Sequence, residues 1–390
     1  MILSLITTTP FQLVVLLVFL IPCQAPSIGL SDVGNLEQEL RDDIADGRLD
    51  RFSLIEAAFV LSGVTERDSL RQYVAWYDNL VQGLENYHFD PFDRPGSAAK
   101  VFSYLHTTWL ITYKERATTL VEVVREKRFN CVAGTILYNL VCQDFGWYTE
   151  AFETPSHTYT IFPHFTERIM VENTSPMGFD IMKNLQDYSR YLLQFYPQQQ
   201  ALQIGLDRLY AYENSKGRAI NNQELLGLLA YNRAYFARER QDYAKAFDYV
   251  QLAQLFNQDS RSNINFEVGL YYRWGKQLFD AGRFTDAFQV YRAGYERHWQ
   301  VSDFAANTKV AFLNALGQLW NERRWQDSHN LLDQMSRTEL LQFDDFLLIR
   351  PILQNWAELF LQTGNSAQAA ELFTDWAMLA PNDPMLKAYQ

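Results

Sequence analysis

Cysteine is scarce in this chain: Cys23, Cys131 and Cys142 are the three among 390 residues. Cys131 and Cys142 fall on one expected helix, which holds them about 16 Å apart at the helical rise, far beyond disulfide reach. A disulfide scaffold is therefore excluded. Basic runs are also missing, and the formal net charge is −12, which argues against nucleic acid because phosphate binding needs clustered Lys and Arg. The sequence has no HExxH, paired CxxC, Walker loop or GxGxxG. Metallopeptidase, zinc-ribbon and nucleotide-binding readings have no support, and no cofactor is implied. His88, Asp90 and Asp93 share a loop but show no recognised metal-ligand spacing, so they read as turn residues and no metal is expected.

The chain does have ample apolar and aromatic side chains. Hydrophobic residues are 48% and aromatic ones 15%, enough for well-packed helices rather than disorder. The longest apolar run is FQLVVLLVFLIP, from Phe11 to Pro22. It has the length of a signal-peptide core and is short for a membrane span of about 20 residues. Residues 1–25 thus read as an export signal for a periplasmic or cell-envelope protein. Leu20-Ile21-Pro22-Cys23 resembles a lipoprotein cleavage box, in which Cys23 would carry lipid and attach the chain to a membrane. An uncleaved N-terminal anchor is the remaining alternative.

Residues 26–97 read as a helical N-terminal region, with apolar residues at helical spacing (Leu54, Ala57, Ala58, Leu61; then Leu70, Val74, Tyr77, Leu80, Val81). Two prolines and a glycine between His88 and Gly96 mark a loop. A further helix is expected from about Ala98 to Lys127. Asn130 can then cap a helix, and Cys131–Cys142 is apolar on nearly every face, the mark of a buried helix. Two β-rich runs follow, His157–Phe162 and Arg168–Glu172, joined by a turn at Pro163–Glu167 as an antiparallel hairpin. Residues 186–221 read as a helical linker.

From residue 222 to 390 the chain repeats. Tyr243-Ala244-Lys245-Ala246-Phe247 aligns with Phe284-Thr285-Asp286-Ala287-Phe288, with Trp325-Gln326-Asp327-Ser328-His329 and with Ser366-Ala367-Gln368-Ala369-Ala370, at a period of 41 residues. Ala234, Gly275 and Ala357 stand twelve residues before Ala246, Ala287 and Ala369, where two hairpin helices would cross closely. Gly282 and Gly364 occupy the turn, and Leu316 and Ser328 make the third unit the weakest. The pattern resembles the tetratricopeptide repeat, with about seven residues more per unit. The resemblance implies an all-α solenoid whose groove binds a protein or peptide partner.

Cys131, His157 and Glu172 are the residues suited to chemistry. A cysteine at a helix N-terminus lies near the positive end of the helix dipole, which favours the nucleophilic thiolate. A histidine on a neighbouring strand can move its proton, and a carboxylate on the next strand can hold the imidazole in one tautomer. The stretches Phe129-Asn130-Cys131, Thr154-Pro155-Ser156-His157 and Val171-Glu172-Asn173-Thr174-Ser175-Pro176 resemble the transglutaminase-like superfamily, over residues 98–185. Two departures are the acid, Glu instead of Asp, and the short interval of 26 residues from Cys131 to His157. Asn173 is the alternative partner for His157, as an amide is in papain-like enzymes. Asn173-Thr174-Ser175 also matches a glycosylation acceptor.

The resemblances imply an α+β, transglutaminase-like (papain-like) domain followed by an all-α tetratricopeptide-like solenoid. They imply Cys131 as nucleophile, His157 as base and acid, and Glu172 as orienting group. Cys142 reads as core packing; His106, His298 and His329 as packed or solvent-facing; His164 as solvated. The implied activity is acyl transfer through a Cys131 thioester, giving amide hydrolysis, deamidation or cross-linking. A non-catalytic binding scaffold that keeps the same fold is the alternative.

Overall fold

The computed structural model describes residues 35–165, 167–184 and 215–389. The expected export signal and Cys23 lie outside the described residues, as does most of the expected linker. Among the described residues the chain is mostly helical with a small sheet, and no helix is long and apolar enough to cross a membrane.

Four helices open the fold: α1 (Asn35–Ile44), α2 (Leu54–Leu61), α3 (Arg67–Glu85) and α4 (Arg94–Thr108). α2 starts at a reciprocal cap in which Ser53 and Glu56 bond each other's backbone N–H groups. Asp93 caps α4 through the N–H of Gly96, and Asp90 closes the preceding turn on the N–H of Phe92. The loop carboxylates are thus spent on backbone donors.

The single helix expected from Ala98 to Lys127 is broken. α4 ends at Thr108, Thr112–Tyr113 forms strand β1, and α5 (Leu120–Glu126) begins afresh. Thr119 and Glu122 form a second reciprocal cap inside the expected helix, and Lys127, at φ +53°, stops α5 in the left-handed region. β2 (Arg128–Phe129) then pairs in parallel with β1, Tyr113 lying opposite Phe129. The backbone leaves β2 directly into α6 (Cys131–Asp144), buried throughout from Val132 to Cys142.

A four-stranded antiparallel sheet packs against α6. β3 (Glu150–Glu153), β4 (Thr158–His164), β5 (Glu167–Val171) and β6 (Arg218–Ile220) run in the order β5-β4-β3-β6. The β4–β5 pair is the expected hairpin. β6 falls within the segment expected to be a helical linker: Arg218–Ile220 instead completes the sheet against β3. Three residues carry too little periodicity to announce a strand.

Eight long helices follow as four hairpins: α7 (Asn222–Glu239) with α8 (Tyr243–Phe256), α9 (Arg261–Asp280) with α10 (Phe284–Arg297), α11 (Ser302–Asn321) with α12 (Trp325–Ser336), and α13 (Phe343–Thr363) with α14 (Ser366–Leu379). A short α15 (Pro384–Tyr389) ends the described chain. The second helices start at residues 243, 284, 325 and 366, 41 residues apart each time. Each hairpin turn places one residue in the left-handed region: Gln241, Gly282, Arg323 and Gly364, with φ between 60° and 71°. Glycine meets that requirement without steric cost, and two of the four turns accept it. The small residues sit at the crossings. A Cβ on Gly275 would lie 2.5 Å from the ring of Tyr291.

The array does not begin at a seam. Leu225, Leu226, Leu228 and Leu229 of α7 and Leu252 and Phe256 of α8 join one core with α1 to α6 and the sheet. Ala234 and Ala237, further along α7, belong to a second core that runs to Leu386. Ion pairs reinforce the joint: Arg41 reaches Asp248 at 2.8 Å and Arg233 reaches Glu37 at 3.1 Å.

The crossing at Gly275 yields a paired test on one helix. Gly275→Val is expected to destabilise by about 1–3 kcal/mol, the usual cost of overpacking. Gly269→Ala, where a Cβ meets nothing within 4 Å, is expected to be neutral or to stabilise by up to about 1 kcal/mol. Denaturant midpoints that moved equally for both would contradict the close crossing.

Candidate functional site

The candidate site is built where α6 begins. The Asn130 side chain accepts hydrogen bonds from the N–H groups of Val132 (3.0 Å) and Ala133 (3.1 Å), and its amide donates to the Glu115 carbonyl (3.0 Å). That cap satisfies two first-turn donors and fastens the turn after β1 to the start of α6. It does not engage the N–H of Cys131. Cys131 itself is half-buried, whereas Cys142 is fully buried.

His157 is presented by a four-residue turn between β3 and β4, whose last pair is Glu153 with Thr158. Thr154 clasps that turn. Its N–H and hydroxyl donate to the His157 carbonyl (2.8 and 3.1 Å), and the hydroxyl accepts from the His157 N–H (3.0 Å). The imidazole Nε2 lies 2.7 Å from Oε2 of Glu172, and the ring is also hydrogen-bonded to Cys131.

Glu172 has no exposed surface. Its second oxygen, Oε1, accepts from the N–H (3.1 Å) and hydroxyl (2.6 Å) of Thr174, so both oxygens are occupied. Two glycines permit the geometry. A Cβ on Gly178 would overlap the Glu172 carbonyl at 1.9 Å, and one on Gly134 would press on the Asn173 carbonyl at 3.2 Å. The loop after β5 can therefore fold tightly and lie against α6.

Burial by itself drives the His157 ring toward its neutral form. The Glu172 charge, then the hydrogen bonds to Cys131 and Glu172, outweigh it and hold the ring protonated well above the ordinary imidazole range. A partially accessible thiol, a protonated imidazole and a buried carboxylate in sequence form a relay able to move one proton to and from sulfur.

The structure brings the three expected residues, Cys131, His157 and Glu172, into one cluster. It assigns the orienting contact to Glu172 and not to Asn173. The Asn173 amide donates instead to the hydroxyls of Thr160 (2.8 Å) and Thr135 (3.2 Å), behind α6. Asn173 is fully buried, which removes it as a glycan acceptor in the folded chain. Cys142 packs in the core, and burial pushes its thiol up to about 12. His298 and His329 do more than pack or face solvent: they pair with Glu267 (3.1 Å) and Asp375 (2.7 Å), both buried carboxylates. Among the described residues no group of His, Cys, Asp and Glu is arranged to hold a metal ion.

Two neighbours of the site carry no sequence signal. Thr174 fixes the carboxylate, and Tyr113 on β1 stands edge-on to Phe129 with ring centroids 5.9 Å apart. Burial, and then the charges of Cys131, Glu115 and Glu172, push the Tyr113 hydroxyl upward. Tyr113 therefore stays neutral near the site. It lies in a two-residue strand within what reads as a helix, so no motif marks it.

No protein-family model matches the chain, and no curated protein matches it.

Removing the carboxylate charge leaves burial of His157 less opposed. In Glu172→Gln the His157 ring is expected to titrate lower than in the wild type, followed by NMR of the histidine ring nitrogens. An unchanged titration would contradict the assignment of Glu172 as its charge partner. The same coupling stabilises the fold below the unfolded imidazole value and is lost as pH rises through the raised one.

Proposed function

We propose that this chain is an exported, thiol-dependent acyl-transfer protein of transglutaminase-like kind, with a tetratricopeptide-like array that holds its protein or peptide substrate. The observation that carries the reading is the position of His157, hydrogen-bonded to the Cys131 thiol on one side and to the buried Glu172 carboxylate on the other.

In the proposed reaction the Cys131 proton rests on His157 at the outset, and the thiolate of that ion pair attacks the carbonyl carbon of an amide. The N–H of Cys131 donates to the developing oxyanion. The C–N bond breaks as the protonated imidazole gives its proton to the departing amine, leaving a thioester on Cys131. Water, or a second amine that loses its proton to His157, then attacks the thioester and frees the thiol. Water gives hydrolysis or deamidation; a lysine amine gives a cross-link. Glu172 stays ionised throughout and holds the ring in place.

Thiol alkylation tests the relay without a known substrate. Iodoacetamide near pH 6, with peptide mapping, is expected to label Cys131 in the wild type. In His157→Ala the rate is expected to fall severalfold, because the thiol loses the imidazole that takes its proton. A His157→Ala rate equal to that of the wild type, with both slow as an ordinary thiol, would favour the non-catalytic scaffold.

A further inference from the structure

Building on the thiol–imidazole reading above, we infer that Glu153 is a positioning residue for His157, through which the connector between the first two helical hairpins fixes the imidazole against Cys131.

Glu153 ends β3 and is paired with Thr158, so it forms one foot of the turn that carries His157. The next residue, Thr154, makes the three hydrogen bonds that clasp the His157 backbone. Any shift of Glu153 is therefore passed to the imidazole through one residue. Glu153 is itself held from elsewhere. Its Oε1 accepts from the Ser260 hydroxyl (3.3 Å), and its Oε2 accepts from the Asn257 amide (3.3 Å) and faces Arg218 Nε at 3.6 Å.

These partners are themselves fixed. Asn257 ends α8 and Ser260 caps α9, so both belong to the short connector between the first and second hairpins. Arg218, on β6, also bonds the Asn257 side-chain oxygen and pairs with Glu224 at 3.0 Å. Gly217 lets β6 approach, since a Cβ there would lie 2.7 Å from the Glu153 carbonyl. Glu153, Asn257 and Ser260 are all buried. An apolar residue would fill this joint without the desolvation cost of a carboxylate, whereas the carboxylate fixes direction through two hydrogen bonds and an ion pair.

The experiment uses the full chain, with iodoacetamide labelling of Cys131 followed from about pH 5 to about pH 9 and folding checked by circular dichroism and denaturant midpoint. Glu153→Ala and Asn257→Ala are expected to slow labelling severalfold and to move the pH profile toward that of His157→Ala. Glu153→Gln, which keeps the shape and one acceptor oxygen, is expected to fall between wild type and Glu153→Ala. Loss of stability alone would not move the pH profile of the folded fraction. A folded Glu153→Ala or Glu153→Gln with the wild-type rate and profile overturns the inference. Should Glu153→Ala not fold, the isosteric Glu153→Gln decides between those outcomes. If His157→Ala itself labels like the wild type, the thiol–imidazole reading fails first, and the two failures are told apart.

Discussion

An ionised carboxylate with no exposed surface is expensive to keep unless its oxygens are hydrogen-bonded, and Glu172 meets that condition on both oxygens. Much of the local architecture follows from this. The chain must turn back at once so that Thr174 can reach Oε1, and that turn needs Gly178, whose missing Cβ leaves room for the Glu172 carbonyl. The other oxygen requires a donor from outside its own loop, which places His157 in the turn just before β4. A protonated ring in turn favours an electron-rich partner, and Cys131 at the start of α6 takes that place. The pairing therefore orders a helix, two strands and a loop around one charge.

The helical array enters this arrangement as part of the same body. Its first hairpin, α7 and α8, shares a core with α2, α6 and the sheet, and its first connector holds the β3 end of the turn beneath His157. The later hairpins rest on a separate core and contact one another in order, as repeating helical pairs do. The chain thus has one core around the Cys131–His157–Glu172 cluster and a second through the later hairpins, with α7 and α8 contributing to both.

Legibility in the sequence followed the length of the signal. The 41-residue step was readable because each unit repeats an aromatic, a small residue and a turn at set distances, and the helix starts at 243, 284, 325 and 366 keep that step. Cys131 was readable because Asn130 is a strong capping residue ahead of an apolar run, and the strands adjoining His157 and Glu172 because they are rich in β-branched and aromatic side chains. The break between Thr108 and Leu120 was missed because β1 has two residues, and the Thr119–Glu122 cap was outweighed by surrounding apolar spacing. β6 was missed for the same shortness. The choice between Glu172 and Asn173 could not be read from adjacent residues whose side chains take different partners, one His157 and one Thr160. Glu153 was invisible because its hydrogen-bond partners Asn257 and Ser260 lie more than a hundred residues away.

The central claim is that Cys131 accepts an acyl group with His157 as its proton carrier. It is tested most directly by intact-mass spectrometry of the full chain after brief exposure to its own cell extract, acid-quenched and mapped to peptides. The account predicts an added mass on Cys131 that hydroxylamine removes, as it does a thioester, and that is absent from Cys131→Ala and strongly reduced in His157→Ala. An unmodified Cys131 in the wild type, or an adduct that forms equally in His157→Ala, would contradict it.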